Sequence, residues 1–153
     1  MAQVFANDVD YVKLIPMRRK GEAGDSLVEF IQDTGIPSEL HTDMAKEEIL
    51  GKWKEVMRKY EIKPTMSEPY SPWQVGAERS IREIKKSTRH IMINTNAPKC
   101  LWDFCAVYAC KIRCLTVHPN FAAQGRTPYE LVTGRTPDIS EYVEFEWYEP
   151  LWY

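Results

Sequence analysis

Within the first 66 residues the spacing of apolar side chains switches back and forth between two periods, and this constrains the fold more than any other feature. Val4-Phe5-Ala6 and Tyr11 to Ile15 are short apolar runs separated by Asn7-Asp8, which has turn chemistry, so they read as a strand pair. Over residues 22–34, Ala23, Leu27, Phe30, Ile31 and Thr34 share one helical face, and Gly35 ends the helix. Pro37 to His41 reads as a short strand. Residues 46–60 form a second amphipathic helix with Ile49, Trp53, Val56, Met57 and Tyr60 inward. Ile62 to Met66 is a strand that Pro64 places at a sheet edge. Strands this short bury one another only when helices cover the sheet, so the order predicts a layered α/β fold.

The remainder is helical. A loop with two prolines, residues 67–72, leads into a long helix from about Trp73 to Asn94, with Ala77, Ile81, Ile84, Thr88 and Ile91 inward. A helix over Lys99 to Val117 is apolar nearly all round and is expected to be buried. Thr127-Pro128 opens a short helix that Gly134 closes, and Tyr142 to Tyr153 is aromatic and acidic without periodicity. A length of 153 residues suits one domain, divided here into a core over 1–135 and an acidic aromatic tail over 136–153. No apolar run approaches the roughly 18 residues of a membrane helix, so no membrane partner is expected. The first residues lack a basic and then apolar leader pattern, and the four cysteines between Cys100 and Cys114 read as reduced thiols inside the cell.

A net charge of −2 conceals segregation. Residues 52–90 carry ten basic and five acidic side chains, whereas residues 1–51 carry five and ten. A basic middle between acidic ends leaves nucleic acid open as a partner. Most of the excess lies on the long helix. Glu78, Arg82, Lys85 and Arg89 follow i, i+4, i+7, i+11 as one stripe, with Arg79 and Lys86 beside it. Intrahelical pairing such as Glu78 with Arg82 is the ordinary use of helix charges, but Glu78 and Glu83 cannot balance five cations. Phosphate contact is the natural use of the excess.

Asp43 follows the short strand ending at His41, and Glu78 lies in the first turns of the long helix. The intervening helix and strand return the chain to the same sheet edge. Two carboxylates there have the hard oxygen chemistry that holds Mg²⁺ or Mn²⁺ for phosphoryl transfer. Spacing alone is a weak signal, because twenty-two acidic residues supply many such pairs and an acid in a first helical turn complements the helix dipole.

The surrounding words are more specific. Leu40-His41-Thr42-Asp43, then Pro69-Tyr70-Ser71-Pro72-Trp73-Gln74-Val75-Gly76-Ala77-Glu78-Arg79, then Thr127-Pro128-Tyr129-Glu130-Leu131 with Gly134, occur in this order. Together they resemble the retroviral-type integrase catalytic core, and most closely the integrases of copia-type LTR retrotransposons. Thr42 stands where that family more commonly has Ser, and Val75-Gly76 where Asn-Gly or Asn-Arg is usual. The resemblance implies a ribonuclease-H-like mixed sheet flanked by helices, N-terminally truncated, with a helical C-terminal part. It implies DNA integration by metal-dependent 3′-processing and strand transfer, with Asp43 and Glu78 as the second and third acids of a triad on two Mg²⁺ or Mn²⁺ ions. Element ends and target DNA would be the partners, with integrase self-association, in the nucleus and in cytoplasmic particles. Arg82 and Lys85 match positions that contact element DNA, with Arg89, Arg79, Lys86 and Gln74 nearby. Tyr70 and Gln74 fall in a loop that is mobile in the family and reaches DNA; a proline-stiffened connector is the equal alternative.

The family's first aspartate lies on a strand ahead of the pair at residues 2–16, and residues 1–153 contain no match to it. Asp8 and Asp10 are explained by the turn and receive no metal role. The expectation is therefore a partial, catalytically incomplete core, with a non-catalytic DNA-binding remnant or a non-functional product as alternatives. The absent strand is central in such a sheet, so a gap or an improvised pairing is expected between the hairpin and the strand around Leu40, with a tendency to aggregate. Cys110, Cys114 and His118 recur every four residues, but three turns of one helix make a poor tetrahedron, and buried free thiols are the better reading. His41 reads as packed on its strand, and the aromatic end at Trp147, Trp152 and Tyr153 as the start of a further segment.

Overall fold

The structure, a computed structural model, describes residues 1–42, 51–66, 72–117, 124–144 and 146–150, the side chains of 66 and 72–77 excepted. Strands β1 (Ala2–Ala6) and β2 (Val12–Pro16) form an antiparallel hairpin in which Val4 faces Leu14. Its turn follows from Asn7, whose Oδ1 accepts the amides of Val9 at 3.1 Å and Tyr11 at 3.0 Å, while Asp10 takes a positive φ of 61°. That is the backbone service expected of Asn and Asp in turns.

Helix α1 (Ala23–Thr34) carries Leu27 and Ile31 inward and stops at Gly35, whose φ is 99°. Strand β3 (Glu39–Thr42) follows, then α2 (Lys52–Lys59) and β4 (Lys63–Met66). β3 and β4 run parallel, with His41 opposite Thr65. Pro64 sits on the outermost strand as its missing N–H requires. Helix α3 (Pro72–Asn94) and helix α4 (Trp102–Leu115) are followed by α5 (Pro128–Thr133) and the single turn α6 (Ser140–Val143). Thr127 and Glu130 close a capping box at the start of α5, and Gly134 ends it in the left-handed conformation.

The hairpin is the middle layer of a helix–sheet–helix sandwich. Phe5 and Ile15 face α1 and α2 in a cluster with Leu27, Ile31, Trp53, Val56, Met57 and Ile62. Phe5 stacks on Phe30 at 4.3 Å and lies nearly parallel to Trp53 at 6.2 Å. Val12 and Leu14 face the other way, onto Ile84, Ala106 and Cys110 of α3 and α4. Alternation along β2 thus assigns each side chain its layer. Cys114 pins α4 to β2: its Sγ donates to the Val12 carbonyl at 3.2 Å and receives the Val12 amide at 3.3 Å. Arg113 reaches Asp10 at 3.3 Å from the same helix.

One expectation changes. α4 is not buried all round. It opens as a 3-10 turn over Lys99–Leu101, and its packed face is Cys105, Ala106, Ala109, Cys110 and Cys114. The opposite face leaves Phe104 66% exposed and Trp102 41%. One flank of one sheet receives only one stripe of a helix, so apolar residues beyond that stripe remain outside. Among the described residues the antiparallel β1–β2 and parallel β3–β4 pairs are separate two-stranded sheets. The gap expected between the hairpin and the strand around Leu40 is present, and no pairing bridges it among the described residues. The expected helix over 46–60 is seen from residue 52; residues 43–50 lie outside the described residues.

Candidate functional site

A cleft of about 2110 Å³ opens between the two sheets. β1 forms one wall, residues 37–42 with β3 the other, and α3 runs along it from Glu78 to Ile93. The chain reaches this arrangement because α1 carries it from β2 over the sheet to β3, and α2 carries it back to β4. The strand end at His41 and Thr42 and the carboxylate-bearing turn of α3 at Glu78 therefore share one cavity.

Glu78 is exposed at the edge of this cleft. Asp43, the residue after Thr42, lies outside the described residues, so its separation from Glu78 is not on view. Among the described residues no three carboxylate, histidine or cysteine side chains gather as a metal site. A hard divalent cation takes about six oxygen ligands, and Glu78 supplies one or two, so the described donors do not by themselves fit a two-metal centre. Asp10 lines the cleft but is engaged by Arg113, consistent with a turn role. His41 Nδ1 lies 2.8 Å from the hydroxyl of Thr65 across the β3–β4 ladder, but the residue is exposed rather than packed as its strand predicts.

The cationic stripe is present as spaced. Arg79, Arg82, Lys85, Lys86 and Arg89 are all exposed on α3. Arg79, Lys85 and Arg89 line the cleft with Glu78, whereas Arg82 and Lys86 lie outside its lining. The described ion pairs join Lys13 to Asp33, Lys52 to Asp25, Lys63 to Glu39 and Arg113 to Asp10, and none involves the stripe. The Glu78–Arg82 pair open to an i, i+4 spacing is thus not formed among the described contacts. Three exposed cations thus line the cleft and two more stand on the same helix outside it, a local field that favours anions. Gln74 lies in the first turn of α3 with its side chain outside the described residues, and Tyr70 is outside them altogether.

Spacing missed Ser80 inside the cleft and gave Thr88 only as an inward residue. Both are buried on α3 and line the cleft. The Thr88 hydroxyl has no hydrogen-bond partner. Helical period assigns Thr88 to the inward face, but only packing reveals that nothing meets its oxygen.

The cysteines behave as small buried hydrophobes, apart from the exposed Cys100. Burial pushes the Cys110 thiol up to about 12 and raises Cys105 and Cys114 as well. His118 lies outside the described residues. In the tail, Tyr142 and Trp147 approach Tyr108 of α4 at 6.0 and 6.4 Å between ring centroids.

No family model and no curated protein matches this sequence. Solved structures do. The HTLV-2 integrase catalytic core domain in complex with magnesium, in its dimeric form, superposes with a TM-score of 0.66 at 17% identity, over 88% of this chain and 84% of that one. The chain has the fold of a retroviral integrase catalytic core. The BIV integrase catalytic core domain matches this integrase-core fold with a TM-score of 0.61 at 16% identity, over 94% of this chain and 95% of that one. A chain of the simian T-cell lymphotropic virus intasome, in complex with PP2A regulatory subunit B56 gamma, matches at 0.64 and 21% identity. Residues here cover 87% of their own length and 52% of that chain, so they span about half of it. At these identities the likeness is one of fold. The ribonuclease-H-like α/β class expected from the sequence is the class found.

Proposed function

We propose that this chain is a partial integrase catalytic core of the copia retrotransposon kind that binds DNA through α3 and is catalytically incomplete. The parent activity is DNA integration by metal-dependent polynucleotidyl transfer. The partners are element ends and target DNA in the nucleus, with self-association of integrase subunits. Asp43 and Glu78 are the two acids of a Mg²⁺ or Mn²⁺ triad that residues 1–153 match. The reading rests above all on the five exposed cations of α3, without ion-pair partners among the described residues, beside Glu78 on an integrase-core fold. A remnant that binds DNA without chemistry uses this same surface.

The test is fluorescence anisotropy with duplex DNA in EDTA, repeated over a salt series. If Arg82, Lys85 and Arg89 each neutralise one phosphate, they contribute a log–log salt slope of about −2.7, an affinity loss of about 40-fold between 50 and 200 mM salt. The double variant Arg82→Glu/Lys85→Glu leaves one of these three cations, whose share of that loss is about threefold, and repulsion weakens binding further. Binding with an unchanged slope in the double variant removes α3 from the interface. Mg²⁺-dependent strand joining by the purified chain overturns the incompleteness of the centre.

A further inference from the structure

The word Arg-Thr-Pro occurs twice, at 126–128 and at 135–137, and the fold gives the two threonines opposite surroundings. Thr127 is 8% exposed, its hydroxyl accepts the Glu130 amide at 3.2 Å, and Pro128 is fully buried at the start of α5. Thr136 is exposed, as are Arg135 before it and Asp138 after it, and residues 136–139 belong to no helix or strand. Pro137 adds a backbone preference, because the residue before a proline is driven out of the helical region into extended conformation. The second word is therefore an extended, solvent-facing hydroxyl followed at once by proline, the form in which a proline-directed protein kinase takes a threonine. The first is the same word in a form that a kinase cleft cannot enclose without unfolding α5.

The Thr136 hydroxyl is also tied into the structure. It donates to the Glu130 carboxylate, which accepts the Thr127 amide at 2.8 Å and the Thr127 hydroxyl at 3.2 Å as well. The Thr127 amide first, then the Thr127 and Thr136 hydroxyls and the nearby Arg126, hold the Glu130 carboxyl below the usual carboxylate range. One carboxylate thus joins the start of α5 to the segment leaving it, where Gly134 turns the chain with a φ of 69°. The charges of this stretch are Arg126, Glu130, Arg135, Asp138 and Glu141, two basic against three acidic. A phosphate on the Thr136 oxygen replaces the donor by a charge of about −1.5 to −2 at neutral pH, next to the carboxylate that it served. Glu130 then meets repulsion where it had a hydrogen bond, and the box that it closes with Thr127 loosens.

We infer that Thr136 is a phosphorylation site for a proline-directed kinase, and that its phosphorylation opens the capping box of α5. In the transfer, the Thr136 oxygen attacks the γ-phosphorus of ATP, and the bond from that phosphorus to the β,γ-bridging oxygen breaks. ADP leaves, and the hydroxyl proton passes to the general base of the kinase. Neither part depends on whether α3 binds DNA.

The probe is a purified proline-directed kinase with ATP and Mg²⁺, acting on the intact 153-residue protein. Site-resolved mass spectrometry should find phosphate arriving at Thr136 at least about tenfold faster than at Thr127, because the second threonine reacts only through local unfolding. Mapping by site keeps Ser71-Pro72, which lies outside the described residues, from entering the comparison. In the phosphorylated protein, hydrogen exchange at the Thr127 and Glu130 amides should quicken at least about threefold, as the loss of one hydrogen bond requires. Thr136→Val removes the donor without adding charge and should quicken the same amides less than phosphate does. A folded protein that takes no phosphate at Thr136, or takes it equally fast at Thr127, would overturn the site. Exchange at Thr127 and Glu130 that is unchanged or slower after phosphorylation would overturn the opening of the cap, and would leave the phosphate held by Arg126 or Arg135 instead.

Discussion

Gly24→Ala isolates the contact that holds the cleft's inner wall. Gly24 is the second residue of α1, and a Cβ built there lies 2.7 Å from Lys52 Cβ and 2.9 Å from the Trp53 backbone nitrogen. Both atoms belong to the first turn of α2, so relief requires movement of that helix rather than of a flexible side-chain tip. Trp53 is 3% exposed and lies parallel to Phe5, which stacks on Phe30, so its backbone has no room to yield cheaply. Two effects oppose. Alanine in place of a helical glycine gains up to about 1 kcal/mol, less near a helix end. Overpacking a close helix–helix contact costs about 1–3 kcal/mol. The second is larger, and the net expectation is a loss of about 1–2 kcal/mol. With a urea m-value of about 2 kcal/mol/M, the midpoint should fall by about 0.5–1 M. Urea titration followed by tryptophan fluorescence reads this directly. Gly21→Ala is the control, since nothing lies within 4 Å of a Cβ there, and it should stay within about 0.5 kcal/mol of the parent. A Gly24→Ala midpoint equal to or above that of the parent would refute the close α1–α2 packing, and with it the placement of Trp53 against the cleft.

Thiol accessibility is a second check: at pH 8, Ellman's reagent should label Cys100 in the folded protein and Cys105, Cys110 and Cys114 only in denaturant. Because the folded Cys110 thiol holds its proton to about 12 while an unfolded thiol loses it near about 8.5, its contribution is intact below that lower value and is lost as pH rises toward 12. Urea midpoints should therefore decline from about pH 9 upward, and less steeply in Cys110→Ala. Thr127→Ala removes the hydroxyl that accepts the Glu130 amide, leaving the backbone half of the capping box, and should cost about 1 kcal/mol in the same titration, with Thr127→Ser retaining most of it.

The local elements were written in the sequence because each rests on contacts between near neighbours. Asn7 makes its turn with amides two and four residues away, Gly35 ends α1 by its own backbone freedom, and Thr127 caps α5 through Glu130 three residues on. The order of strands and helices in turn limited the fold to a layered α/β class, and the Leu40–Asp43 and Pro69–Arg79 words pointed within it to the integrase core. The cationic stripe was legible for the same reason, since helical period places Arg82, Lys85 and Arg89 whatever the helix packs against. Tertiary structure decided what depends on partners distant in sequence. Phe104 and Trp102 are outside because α4 meets β2 and α3 along one face, which its uniformly apolar sequence did not reveal. Cys114 became a tie to Val12, 102 residues away, rather than a member of the four-residue series with Cys110 and His118. Thr88 was assigned to the core by its spacing, yet only the assembled layers leave its hydroxyl without a partner in the cleft. A strand has a sequence pattern, but which of its two edges is paired is a property of the sheet, so the opening between β1 and β3 took its dimensions and its lining only from the folded chain.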